Sequence, residues 1–203
     1  GSRLRRRYRN PMYPLRPLET EALLAIWSET QGWYAEEVNR CQLNLLDSHD
    51  VPRALHSLKG DVAALSLALL ILMLQPGAPC LYYGTEVGLE GGAEPACREA
   101  MPWEEPWPHD LRKRIMALTK VRQQLEAVRE RGLSWQAHAR DGLIGRAPGV
   151  VVVVNRSRRK ALRLDPHDVA RDGWETDGAV IGRYQRAPHS LSPQSAVLFK
   201  VPG

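Results

Sequence analysis

His49 and Asp50 stand side by side in the stretch Asn44–Arg53, NLLDSHDVPR, directly after an apolar run. An imidazole next to a carboxylate can move a proton or grip a polar substrate. A further carboxylate, Glu86, follows another apolar run in APCLYYGTE. Neighbouring strands lie about 4.8 Å apart, so loops at the ends of two adjacent strands could bring Asp50 and Glu86 together. Carboxyl groups about 5–5.5 Å apart are what a retaining glycosidase uses, one as nucleophile and one as acid. The plainer alternative has Asp50 capping a turn and Glu86 pairing with an arginine, and spacing alone favours it.

Other reactive side chains carry weaker signals. Ser48-His49-Asp50 is not read as a hydrolytic triad, because triad members converge from separate segments whereas adjacent residues diverge. Cys80 falls inside an apolar run and reads as an inert core thiol. Cys97, in a polar loop, has the setting of a reactive thiol but no base beside it. Trp103, Trp107, Tyr82 and Tyr83 present flat faces on which sugar rings stack, although a Trp packed beneath its own loop is the commoner outcome.

The elements that must position these groups follow from periodicity. Thr20 reads as the cap of a helix from Glu21 that ends at Gly32, with Leu23, Leu24 and Trp27 on one face. Leu43–Leu46 is too short for a helix and suits a buried parallel strand. Gly60-Asp61 opens the helix VAALSLALLILML, which Gln75-Pro76-Gly77 closes. Ala78–Tyr83 reads as the next strand. Leu111, Ile115, Leu118, Leu125 and Val128 then mark one stripe of a single amphipathic helix. Strand, helix, strand, helix at these lengths makes consecutive βα units of a parallel sheet. Beyond Gly132, the runs Val150–Val154, Ala161–Leu164 and Ala196–Val201 are β-rich and separated by turn residues. The fold class is therefore α/β plus all-β, with residues 1–131 and 132–203 as the expected domains.

Composition sets the remaining bounds. At 203 residues, 43% hydrophobic and 25% charged, the chain can bury a core and has ordinary globular proportions. The net charge of +5 is concentrated in Arg3–Arg9 and Arg156–Lys160. No aromatic platform or recognition motif accompanies these clusters, so a solvated tail and loop are preferred to nucleic-acid contact. Three cysteines without metal-like spacing point to a reducing, cytoplasmic setting rather than a disulfide framework. No secretory signal is evident. The apolar window Val62–Leu74 is shorter than the roughly 20 residues that cross a bilayer. No cofactor or metal site is expected.

NLLDSHDVPR resembles the strand-7 motif of the alpha-amylase superfamily, particularly its neopullulanase, cyclomaltodextrinase and maltogenic amylase branch. QPGAPCLYYGTEVGLEGG resembles that superfamily's strand-8 stretch, and ACREAMPW the loop after it. The motifs occur in the family's order over roughly Leu18–Trp107. The resemblance implies that residues 1–131 are the last βα units of a (β/α)₈ TIM barrel and that residues 132–203 form a C-terminal antiparallel β-sandwich. It implies a retaining glycoside hydrolase acting on α-1,4/α-1,6-glucan oligosaccharides. Asp50 would be the transition-state-stabilising carboxylate, His49 a sugar-binding imidazole and Arg53 a substrate-binding residue on the rim. Glu86 would be neither acid nor nucleophile.

In the family those two carboxylates lie on strands 4 and 5, and no Arg-x-Asp strand precedes Leu43 in this sequence. The chain thus resembles a C-terminal fragment, expected to be inactive alone and to self-associate or be complemented by the missing barrel half. Thr85 stands where the family usually has Asp, and Glu99-Ala100 where it has Arg-Pro. A non-catalytic carbohydrate-binding or interaction remnant is the alternative, and a basic adaptor a more distant one.

Overall fold

The structure, a computed structural model, describes residues 18–104, 106–165, 179–186 and 189–200. The basic stretch Arg3–Arg9 lies outside the described residues.

The first half alternates helices and short strands: α1 (Thr20–Gln31), α2 (Glu36–Cys41), β1 (Leu43–Leu45), α3 (Ala54–Ser57), α4 (Val62–Met73) and β2 (Ala78–Cys80). Two 3₁₀ turns, Thr85–Val87 and Ala96–Arg98, precede α5 (His109–Gln124) and α6 (Glu126–Arg131). Strands β1 and β2 pair in parallel, with Leu43 opposite Ala78 and Leu45 opposite Cys80, as a βα crossover requires. β2 stops at Cys80, short of the expected Tyr83. Its ladder partner β1 ends at Leu45, and a strand persists only where its backbone groups are paired.

Helix α4 forms because Asp61 caps it, its side chain accepting from Ala64 N at 3.0 Å. Leu65, Leu69, Leu70 and Leu72 are buried on several sides, so this helix lies within the core rather than on the surface. Arg122 of α5 fixes its exit by donating to Met73 O and to Gln75 O at 3.0 Å, and it also donates to Gly77 O. Burial, with Arg129 nearby, draws the Arg122 pKa downward.

Some expected details are corrected. Thr20 lies within α1, with Glu19 as the N-cap. The Thr20 side chain is buried and donates to Arg140 O at 2.7 Å, tying α1 to the β-rich half. The stripe Leu111–Val128 spans two helices rather than one. Leu125, at φ −108° and ψ 77°, breaks the helical path while remaining buried. Helix α2 had no counterpart among the expected elements.

The second half is antiparallel. β3 (Ser134–His138), β4 (Gly142–Ala147), β5 (Val150–Asn155), β7 (Ala179–Ile181) and β10 (Ser195–Lys200) form a sheet in the order β3-β4-β5-β10-β7. β6 (Leu162–Arg163), β8 (Tyr184–Arg186) and β9 (His189–Leu191) form a smaller sheet in the order β6-β9-β8. Period-two alternation in β5 and β10 divides their side chains between two cores. Val150, Val152, Val154, Ala196 and Leu198 pack with α4, α5 and α6, whereas Val151, Val153, Val197 and Phe199 pack with Leu162, Leu164 and Leu191 of the smaller sheet and its flank. The first of these cores is continuous across Gly132, which links α6 to β3 at φ 70°. A side chain there would strike the Pro76 ring at 2.6 Å. Among the described residues, no helix is long and apolar enough to cross a membrane.

Asp61 also joins the two halves. Its carboxylate accepts from Gln194 Nε2 at 2.8 Å and lies 3.0 Å from Arg158. Burial favours the neutral form, but the Ala64 amide, Gln194 and Arg158 together outweigh it and hold the carboxyl below its ordinary value of 3.8. A depressed folded-state pKa contributes stability that is complete above that ordinary value and is lost as pH falls through the lower folded one. Asp61→Asn is therefore expected to flatten the acid limb of a urea-midpoint profile below about pH 4. An unchanged limb would show that the carboxylate is not linked to folding.

Candidate active site

The site is assembled on the loops at the carboxyl ends of β1 and β2. After Leu46 the chain turns at Asp47, whose side chain is buried at 4% exposure. One of its oxygens accepts from Ala54 N at 2.8 Å, at the start of α3. Thr85 Oγ1 donates to the same carboxylate at 3.2–3.3 Å. This buried contact links the two strand-end loops. Thr85→Val keeps the shape but removes a hydrogen bond to a buried charge, and it is expected to cost about 1.5–3 kcal/mol in a urea melt. A change below roughly 0.5 kcal/mol, the range of ordinary surface substitutions, would show that Asp47 is otherwise satisfied.

With Asp47 anchored, the next turn lifts His49 and Asp50 into solvent, their side chains 61% and 66% exposed. His49 Nε2 lies 3.1 Å from Asp50 Oδ2. Arg98 braces the pair: Nε donates to His49 O at 3.0 Å, Nη2 lies 3.5 Å from Asp50 Oδ1, and Nη1 lies 2.8 Å from Glu94 Oε1. Cys97 Sγ donates to the same His49 carbonyl at 3.2 Å. The loop after β2 is thus folded back onto the loop after β1. A guanidinium, an imidazole and a carboxylate converge on open solvent, a set suited to holding hydroxyl groups and steadying developing positive charge.

The structure pairs Asp50 with His49 and Arg98; among the described residues no hydrogen bond or ion pair joins it to Glu86, which sits half-buried in the turn Thr85–Val87. Ser48 Oγ accepts from the Asp50 amide at 3.2 Å, a local turn contact.

Arg53 is not a rim residue. Its side chain is 1% exposed, with its guanidinium carbon 4.2 Å from the Tyr82 ring centroid and 4.6 Å from that of Tyr83. Nη1 donates to Tyr83 O, and Arg53 N donates to Gly91 O at 2.9 Å. Pro52 and the immediate start of α3 turn this residue inward, where the two rings receive it. Burial, reinforced by the Tyr83 hydroxyl, pushes the Tyr82 phenol above its usual 10.0.

Cys97 is fully buried, which corrects its reading as a reactive loop thiol; Cys80 is only partly buried. Trp103 is 73% exposed, and Trp107 is fixed by its Nε1 donating to Pro102 O at 2.7 Å. Asp47, Arg98 and the Thr85 contact were missing from the sequence-derived site. Arg98 lies within ACREAMPW, but its bridge to Asp50 spans 48 residues of chain, beyond the reach of any local pattern.

A parallel βα pair with its polar cluster beyond the strand ends is an α/β arrangement of the kind whose polar groups gather at the carboxyl face of the sheet. The family model for the alpha-amylase catalytic domain matches residues 11–156, and the chain belongs to that family. It is 32% identical over 179 residues to a cyclomaltodextrinase of Geobacillus thermopakistaniensis, covering 83% of this chain and 30% of that protein. It is 39% identical over 104 residues to the intracellular maltogenic amylase of Bacillus subtilis, covering 49% of this chain and 17% of that one. Among solved structures, Ttha1563 from Thermus thermophilus superposes with a TM-score of 0.78 at 33% identity, over 93% of this chain and 42% of that chain. The chain therefore spans less than a third of the length of these curated relatives.

Proposed function

We propose that this chain supplies the strand-7 and strand-8 wall of the substrate cleft in a retaining α-glucan hydrolase, with residues 1–131 as barrel and the two antiparallel sheets of residues 132–203 as a C-terminal sandwich. The observation that carries this reading is the exposed His49–Asp50 pair, braced by Arg98 at the carboxyl ends of paired parallel strands. In it, Asp50 steadies the oxocarbenium-like transition state through substrate hydroxyls, and His49 hydrogen-bonds the sugar. Arg53 serves that cleft as a positioning residue, holding the Tyr82-Tyr83 segment beneath it. Relatives named cyclomaltodextrinase and maltogenic amylase support α-linked maltodextrins and cyclodextrins as the substrate class. The name of the intracellular relative supports a cytoplasmic setting.

Double displacement needs a nucleophile and an acid besides Asp50, and this polypeptide carries neither in the family's positions. Incubation of the purified 203-residue chain with β-cyclodextrin or pullulan is expected to release no reducing sugar. Release that disappears in Asp50→Ala would overturn that expectation.

The apolar face of β1 supports a partner as well. Leu43 and Leu45, two residues apart and so on one face of the strand, are 62% and 46% exposed, and an apolar sheet face of this kind is covered by further barrel strands or by a second copy. Light scattering on the isolated chain is expected to report association, and a clean monomer would argue against it.

A further inference from the structure

Two helix faces of opposite charge are exposed on this chain. Helix α1 carries Glu21 and Glu29 and no cation. Both carboxylates are exposed, together with Ala22, Ala25 and Ile26, the last at 45%. At 3.6 residues per turn these side chains share one face, opposite the half-buried Leu23, Leu24 and Trp27. Helix α5 is the reverse. Arg112, Lys113 and Lys120 are exposed around Met116 and Ala117, on the side turned away from the buried Leu111, Ile115 and Leu118. Met116 itself is 58% exposed. Lys200 adds a cation near the end of α5, its Nζ donating to Gln124 Oε1 at 3.1 Å. Among the described residues, no ion pair engages Glu21, Glu29, Lys113 or Lys120.

We propose that these faces dock on each other between copies of the chain, α1 of one copy seating on α5 of another. At 1.5 Å per residue, Glu21 and Glu29 lie about 12 Å apart along their helix, and Lys113 and Lys120 about 10.5 Å. Helices laid side by side therefore bring both carboxylates within reach of both ammonium groups. Ala22, Ala25 and Ala117 are small enough to let Ile26 and Met116 meet between the charges, and the flexible Met116 side chain adapts to the fit. Both faces stay exposed within one copy, so they do not satisfy each other there. Pairing of like faces, α1 on α1 or α5 on α5, sets like charges together and is disfavoured. The contact is therefore reciprocal in a closed pair or repeated along a row of copies. Exposed ion pairs contribute little each and are screened by salt, so the association is weak and depends on ionic strength. It is separate from the apolar face of β1 and needs no part of the sugar-cleaving reading.

The test is sedimentation velocity on the whole chain and on Leu43→Ser/Leu45→Ser, which strips the apolar face of β1. Each is run at low salt and at about 1 M salt, where the screening length is roughly 3 Å. Both proteins are expected to associate with rising concentration at low salt, and Leu43→Ser/Leu45→Ser to become monomeric at high salt. In that background, Glu21→Lys/Glu29→Lys and Lys113→Glu/Lys120→Glu are each expected to weaken association at least about tenfold. Combining the four reversals exchanges the charges of the two faces at unchanged net charge. The combined variant is expected to associate again, a rescue that a folding defect would not produce. The proposal is overturned if Leu43→Ser/Leu45→Ser is a monomer at low salt, which would place all association on β1. It is equally overturned if only one of the two helices responds to reversal, or if the combined variant stays monomeric. None of these outcomes touches the assignment of His49 and Asp50.

Discussion

Arg53→Ala is expected to lower the unfolding free energy by about 3–5 kcal/mol, the scale found when a buried charged side chain's contacts or a large core side chain are removed. Arg53 is 1% exposed and packs against both the Tyr82 and the Tyr83 ring, which themselves meet edge to face. Truncation leaves both rings facing a void and removes the donor to Tyr83 O. Space beside Gly84 is already tight: a side chain at Gly84 would come within 3.2 Å of Arg53 Nη1, so collapse into the gap is restricted. Nε and Nη2 of Arg53 are buried without partners, so its contribution comes from stacking and packing more than from its hydrogen bonds. The conservative exchange should therefore be the poorer one. Arg53→Lys buries a compact, strongly hydrated ammonium that cannot lie flat against a ring, and it is expected to recover less than half of the loss. Arg53→Met, similar in length and uncharged, is expected to recover more. Urea titrations of the three variants check the order. A lysine variant as stable as the parent would mean that position 53 is solvated.

How much of this could be read from the chain depends on whether the deciding interaction is local. Helix α4 was legible because Asp61 and Gln75-Pro76-Gly77 bracket an apolar run, and β5 and β10 because each is a short apolar run set off by turn residues. The break at Leu125 was not, since the residue stays buried and the apolar stripe continues through it. β2 was read too long because its end is set by β1, not by its own residues. His49 and Asp50 stood out as paired functional types at a strand end. Arg53 follows a proline in a polar stretch, which reads as surface until Tyr82 and Tyr83 arrive from a separate strand end. Cys97 likewise depends on a carbonyl 48 residues away.

Asp50 carries the largest expected effect on activity. A carboxylate that strengthens its hold on sugar hydroxyls as positive charge develops acts in the transition state more than in the ground state. In a protein that supplies the nucleophile and acid, its removal should lower kcat by about 10²–10³, the scale seen when a single preorganised electrostatic contact is lost, with a smaller change in KM. Arg98, 3.5 Å from Asp50 Oδ1 and bonded to His49 O, orients the pair, so Arg98→Ala should act in the same direction and less strongly.

The decisive measurement replaces the matching segment of the Geobacillus cyclomaltodextrinase, which would contribute the nucleophile and acid, with residues 18–104 of this chain. Cyclodextrin hydrolysis is then compared with and without Asp50→Ala in chimeras of equal melting temperature. Turnover that falls by about two orders of magnitude or more on losing Asp50 is the expected result. A chimera that hydrolyses cyclodextrin equally well with alanine at position 50 would contradict the assignment of His49 and Asp50 to a sugar-cleaving cleft.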